Sequence, residues 1–278
     1  MARRVAVCGS ITADIIGYGP RLPRPGESVL GHRLLIAPGG KGGNQAVAAA
    51  RLGASVWLTG ARGADDNGAF CAAALARDGI DISAVAVRPD VHTGVALICV
   101  DAAGNNQILA LPGANATVAP PAPCGGAVWL CQGEIPSEAV LGTLAAARAD
   151  GAIAIINPSP ANAVDPDLVR RFDLAVVNEL EHEALADHLP PRVVRTVGAA
   201  GAVLLPEGTV FPAINARVLD TTGAGDAFTG ALAAGLAEGM DIDAAIRRAN
   251  VAAGISVERA GCQPSYPTRA EVEQRMIA

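Results

Sequence analysis

The sequence predicts an α/β fold: a doubly wound, mostly parallel sheet with helices on both faces, carrying a small β-sheet lid. Strand-like and helix-like segments alternate along most of the 278 residues, the pattern of consecutive βαβ units. Hydrophobic residues make up 51% of the chain and aromatic residues only 3%. The core is therefore built from Ala, Val, Leu and Ile, which suits helices laid over a parallel sheet buried on both faces. Two stretches, at about 14–37 and 93–112, break the alternation with extended runs and no helical period. They predict a second, smaller sheet. With no long linker or low-complexity segment, a single domain over residues 1–278 is expected.

Each element follows from local pattern. Residues 5–9 are an apolar run closed by glycine and read as a buried strand. Residues 43–52 read as a helix, 55–59 as a strand, and 67–76 as a helix ending near Asp78-Gly79. Residues 93–112 read as two strands joined at Asp101-Ala-Ala-Gly104. Strands follow at 128–131, 152–156 and 174–177, with a helix at 137–149. The interval from Asn178 to Thr196 holds one short helix, 181–188, before Pro190-Pro191 and a strand at 193–197. That is tight for a parallel crossover, which needs about a dozen residues. Residues 203–205 and 209–212 flank Glu207-Gly208 as a hairpin, and helices are expected at 224–238, 242–259 and 269–277.

Composition excludes several classes of function. A net charge of −6 argues against nucleic acid, whose phosphates need basic surfaces. No apolar run reaches the roughly 18–20 residues of a membrane span. Met1-Ala2-Arg3-Arg4 leads only into the short apolar run 5–8, too brief for a signal-peptide core, so the expected address is the cytoplasm. The six cysteines form no CxxC pair and mostly sit in apolar runs, so they read as reduced, buried small hydrophobes. The four histidines have no partner at ligand spacing and receive no catalytic role.

The chemistry lies in two glycine-rich runs. Asp220-Thr-Thr-Gly-Ala-Gly-Asp226-Ala-Phe-Thr-Gly230 reads as a turn opening directly into a helix. A helix start offers unpaired N–H groups and partial positive charge, and Gly223 and Gly225 let an anion approach them. Asp226 would repel a phosphate unless its task is to take a proton from an alcohol beside it. That pairing points to phosphoryl transfer to a hydroxyl; ordinary caps and turn glycines are the plain alternative. The second run, Pro38-Gly39-Gly40-Lys41-Gly42-Gly43-Asn44-Gln45-Ala46, also joins an extended run to a helix and suits a polyhydroxylated, partly anionic ligand. It lacks the GxxxxGK[ST] spacing of a P-loop.

With both runs in place, the chain resembles the ribokinase-like (PfkB) carbohydrate kinases nearly end to end. Gly9-Ser10-Ile11-Thr12-Ala13-Asp14 is similar to the family's sugar-binding strand end, 39–50 to its first signature and 220–230 to its second. Thr93-Gly94-Val95-Ala96-Leu97, Gly113-Ala114-Asn115, Asn178-Glu179-Leu180-Glu181 and Gly261-Cys262-Gln263-Pro264-Ser265 match further family segments in order. The chain departs from the family in its short 178–196 interval.

The resemblance implies an ATP-dependent kinase for the primary hydroxyl of a sugar, D-ribose first, with Mg2+ required and K+ as activator. It implies Asp226 as general base, with Gly223, Ala224 and Gly225 offering N–H groups to the transferring phosphate. Thr12, Asp14, Gly40, Lys41, Asn44 and Glu134 would hold the sugar. Asn178, Thr196, Gly198, Gly201, Gly225 and Asn250 would line the nucleotide. Asn178 and Glu181 would act on Mg2+ through water; as residues alone, they equally form a helix capping box. Asp220, Thr222, Ser256, Arg259, Gly261 and Ser265 would form the K+ site, mostly by carbonyls. A homodimer through the lid is implied as well. Nucleoside, pseudouridine, fructose and keto-sugar-acid kinases share the second signature, and a non-catalytic sensing module is the reading from another class.

Overall fold

The computed structural model describes residues 4–277. Its main sheet contains β1 (Arg4–Cys8), and its lid begins with β2 (Thr12–Tyr18) and β3 (Arg33–Gly39). There follow α1 (Lys41–Arg51), β4 (Ser55–Gly63), α2 (Asp66–Arg77), β5 (Asp81–Arg88), β6 (Gly94–Val100) and β7 (Asn106–Leu111). The second half runs β8 (Val128–Gln132), α3 (Ser137–Asp150), β9 (Ile153–Asn157), α4 (Pro166–Val169), β10 (Leu174–Val177), α5 (Glu179–Ala184) and β11 (Val193–Thr196). It ends with β12 (Ala202–Leu205), β13 (Thr209–Phe211), α6 (Ala224–Ala237), α7 (Ile242–Ser256) and α8 (Arg269–Ile277).

Among the described residues, nine strands form the main sheet in the order β13-β12-β11-β10-β9-β8-β1-β4-β5. All pairs from β11 to β5 are parallel, and the β12–β13 hairpin closes one edge antiparallel. The chain starts in the middle at β1, winds outward through β4 and β5, then returns to build the other half from β8. Alternation along each strand sorts side chains between two cores. Val5, Val7, Val128, Leu130 and Ile155 pack with α1, α6 and α7. Ala6, Cys8, Trp129, Cys131 and Ile156 pack with α3 on the opposite face. Such two-sided burial is what makes these strands read as unbroken apolar runs.

The lid is a four-stranded sheet, β3-β2-β6-β7. β2 pairs antiparallel with β3 and parallel with β6. The β6–β7 hairpin turns where the sequence predicts, because Asp101 accepts from the Ala103 and Asn105 N–H groups.

Several boundaries differ from expectation. β5 is an edge strand, half exposed along its length, that local pattern left unassigned. The helix expected at 242–259 ends at Ser256, because the Val257 carbonyl accepts the N–H groups of Leu219 and Asp220 instead of continuing the turn. The tight 178–196 crossover is achieved: α5 and a 3₁₀ turn at Ala186–His188 suffice to bring β11 parallel to β10. Of the cysteines, Cys8, Cys71 and Cys131 are buried, but Cys99 lies exposed on the lid and Cys124 and Cys262 are only half-buried. All are free thiols. Among the described residues, no helix is long and apolar enough to cross a membrane.

Candidate active site

Open α/β sheets present ligands beyond the carboxyl ends of their strands, where the winding reverses. Here the reversal lies between β1 and β8. Ser10 follows β1, Glu134 follows β8, Asn157 ends β9, Asn178 follows β10 and Thr196 ends β11.

The first glycine-rich run is dictated by backbone crowding. Gly40 caps α1 with φ +83°, and a Cβ there would lie 2.8 Å from the Thr12 nitrogen. A Cβ on Gly42 would lie 2.5 Å from the Gly9 carbonyl carbon. The start of α1 is thereby pressed against the end of β1. Its orphan donors find partners there. The Lys41 N–H donates to Glu134 Oε2 at 3.1 Å, and the Gly43 N–H to the Ser10 carbonyl at 2.9 Å. Ser10 Oγ donates to the same Glu134 oxygen at 2.5 Å.

Asp14, on β2, accepts from Thr12 Oγ1 at 2.9 Å. Burial, only partly offset by that hydrogen bond and reinforced by the charges of Glu134 and Asp226, pushes its carboxyl up to about 6. Gly39 passes so close that a Cβ would meet the Asp14 carboxylate at 2.3 Å. For Lys41, burial opposes the ammonium, but the carboxylates of Asp226, Glu134 and Glu181 outweigh it and raise the group above its usual range. Lys41 is a permanent cation in an acidic cleft.

The second run opens α6. Gly223 is the N-cap, with φ +77°, and a Cβ there would meet Tyr266 Oη at 2.6 Å and Cys262 Sγ at 3.1 Å. Asp226 is not the cap; it sits in the first helical turn, 7% exposed. Its Oδ2 accepts from Asn44 Nδ2 at 3.0 Å and its Oδ1 from Gln45 Nε2 at 2.8 Å. Of the backbone donors expected beside it, Ala224 and Gly225 differ. The Ala224 N–H is turned to the Thr221 carbonyl at 3.2 Å, so closing the turn takes that donor. Gly225 faces open space.

One cleft gathers Lys41, Asn178, Glu181, Thr196, Gly223, Gly225 and Asp226. Asn157, Ser159 and Thr229 line it too, and the sequence reading did not name them. Asn157 was within reach, as a polar residue closing an apolar strand. Asn178 and Glu181 form a reciprocal capping box, each side chain accepting from the other's N–H at 2.8 and 3.0 Å. Both residues line the cleft, and their side-chain oxygens are of the kind that would fit Mg2+ through water.

Gly198, Gly201 and Asn250 do not line this cleft. Gly198 opens a 3₁₀ turn, and Gly201 adopts φ +102°, where a Cβ would also strike the Phe211 carbonyl oxygen at 2.1 Å. Asn250 Nδ2 donates to the carbonyls of Phe211 and Pro212 at 2.9 and 3.2 Å. That amide holds the exit of β13.

The residues expected around K+ meet at one contact: Asp220 Oδ2 accepts the Gly261 N–H at 2.9 Å. Asp220 Oδ1 accepts from Thr222, while Ser256 Oγ and Ser265 Oγ turn back to the carbonyls of Ala253 and Cys262. Arg259 pairs with Glu271. These side chains are engaged within the protein, which leaves backbone carbonyls as the groups a cation there would need.

Comparison with known proteins decides the family: residues 2–269 match the pfkB family carbohydrate kinase. The chain belongs to that family. A ribokinase of Bacillus subtilis (strain 168) is 35% identical to this PfkB kinase over 296 residues, covering 98% of this chain and 99% of its own. The ribokinase of Mus musculus is 35% identical over 303 residues, covering 98% and 94%. Among solved structures, Arabidopsis thaliana ribokinase complexed with ribose and ATP superposes with a TM-score of 0.90 at 28% identity, over 99% of this chain and 98% of that one. The doubly wound fold with its smaller sheet follows the alternation read from the sequence, and the family is the one the two glycine-rich runs resemble.

Proposed function

We propose that this PfkB kinase phosphorylates the primary hydroxyl of D-ribose from ATP, acting as one ribokinase-like domain over residues 1–278. The observation that carries the reading is Asp226: a carboxylate in the first turn of α6, each oxygen held by a neutral amide, facing the same cleft as Lys41 and Gly225. Relatives named ribokinase at 35% identity supply the sugar.

In this reading Asp14 and Asn44 hold neighbouring sugar hydroxyls, with Thr12, Gly40, Lys41 and Glu134 shaping that side. Asp226 accepts the proton of the attacking hydroxyl, which is a poor nucleophile until a base is in place. The Gly225 N–H and the start of α6 stabilise charge on the transferring group, and Lys41 adds a fixed positive charge. Asn178, Thr196 and Glu181 serve the phosphate end, with Asn250 behind the adenine side. Mg2+, when bound with ATP, neutralises phosphate charge, and Asn178 and Glu181 would hold it through water. Carbonyls of the loops joined at Asp220 and Gly261 would hold K+, which would supply an activating charge. The lid closes over the sugar and excludes water. Its strand β7 is exposed at every position, and Leu34, Ile36, Leu97, Ile108 and Leu109 are exposed across the lid. A homodimer through the lid would cover them. The site of action is the cytoplasm.

The test is ADP release from MgATP with D-ribose, in K+ and in Na+, against ribonucleosides, pseudouridine and fructose. Ribose-dependent release that is faster in K+ is expected. Release only with another acceptor would replace the sugar, and equal rates in both cations would remove the K+ site.

A further inference from the structure

Asp226 is held by a chain of amides that reaches the centre of the sheet and that the transfer chemistry above does not use. Gln45 Nε2 donates one proton to Asp226 Oδ1 at 2.8 Å and the other to Asn157 Oδ1 at 3.0 Å. Gln45 Oε1 accepts from Gln132 Nε2 at 2.7 Å. Asn157 Nδ2 in turn donates to the Val176 carbonyl at 2.9 Å. Gln45 and Gln132 are fully buried, with no exposed surface at all.

The direction of this chain is set by chemistry. An ionised carboxylate only accepts, so Gln45 must present its NH2 to Asp226. Its carbonyl then faces Gln132, which must present its own NH2. Gln132 Oε1 is left over, buried and without a partner. It lies where a Cβ on Gly9 would be, 2.1 Å away. An unpaired buried oxygen is unfavourable, and nothing in β1 or β8 alone requires it. It is the residue of an arrangement directed at Asp226.

We propose that Gln45 and Gln132 are positioning residues for the phosphoryl transfer, fixing through Asn157 and the sheet the direction in which the Asp226 carboxylate meets the hydroxyl. The inference rests on the proposed role of Asp226 as base. Gln132 is the cleanest probe, since it touches neither Asp226 nor the cleft. Removing its N–H leaves Gln45 Oε1 without its donor, so the amide that holds Asp226 Oδ1 loses its anchor on the sheet side. General-base catalysis contributes about 10²–10⁴ in rate, so losing orientation while keeping the base removes part of that factor.

The experiment is steady-state kinetics with D-ribose for Gln132→Met and Gln45→Met, with ribose affinity by calorimetry and Tm for each. Expected is a fall in kcat of about tenfold or more with ribose Kd within about twofold. Unchanged kcat in folded variants overturns the proposal, and so does a fall in kcat matched by lost affinity and Tm. Side-chain amide NMR of the parent needs no relay variant. A Gln45 NH2 protected from exchange, whose shift moves on Asp226→Asn, supports the relay; a freely exchanging one overturns it. A parent that phosphorylates no acceptor would fail the proposed function instead, and the amide signals would still judge the geometry.

Discussion

Asn44 Nδ2 donates to Asp226 Oδ2 over 3.0 Å, although the two residues stand 182 positions apart. The contact joins the two glycine-rich runs into one site. It exists because α1 and α6 pack at backbone distance: a Cβ on Gly230 would lie 2.4 Å from the Gln45 carbonyl oxygen. The last glycine of the second run therefore serves packing, and through packing it delivers the carboxylate to its amides.

Asp226→Asn keeps the shape of the side chain and removes the base. The variant should fold, bind ribose within a few-fold of the parent, and lose about 10²–10⁴ in kcat. Turnover and calorimetric ribose affinity, measured on the same preparation, check this; undiminished turnover would reassign the base.

Asp14 makes sugar binding pH-dependent. Its carboxyl is raised from 3.8 to about 6, so the ionised acceptor forms only as pH rises through that value. Ribose affinity should weaken as pH falls from 7 to 5, and Asp14→Asn should flatten the dependence while weakening binding. Stability runs the other way. A raised carboxyl stabilises the fold below about 4, and that contribution is lost as pH rises toward 6. Asp14→Asn should therefore raise Tm at pH 8 and leave it unchanged at pH 3.5.

Gly223 and Gly225 separate structure from chemistry. Gly223→Ala forces a left-handed residue against Tyr266 and Cys262, and urea unfolding should show a loss of about 1–3 kcal/mol. Gly225→Ala meets nothing within 4 Å. It should hold or gain stability, by up to about 1 kcal/mol as a helical Gly→Ala change, yet lose turnover because the methyl stands in the cleft.

Asn250→Ala leaves the Phe211 and Pro212 carbonyls unpaired and should destabilise the fold by about 1–3 kcal/mol. The KM for ATP should move less than the Tm does. A large rise in KM with unchanged Tm would return Asn250 to the nucleotide.

The main-sheet strands were legible because two-sided burial writes itself as apolar runs, as in 128–131 and 174–177. β5 was not, since its half-exposed alternation resembles a loop as much as an edge strand. At the site, Lys41, Asp226 and the glycines announced themselves by unusual local composition. Gln45 and Gln132 did not, because a buried glutamine in an apolar segment carries no mark of its partner.

Apart from β5 and α4, the sequence by itself determined the order of elements, the lid and the two helix starts, since capping, periodicity and glycine placement act within a few residues. Only the tertiary structure decided which polar groups meet. Asn250 was turned to the carbonyls beside β13 and Gln45 was aimed at Asp226. Hydrogen bonds of fixed direction and short reach depend on how α1, α6 and α7 lie against the sheet, and no local pattern encodes that packing.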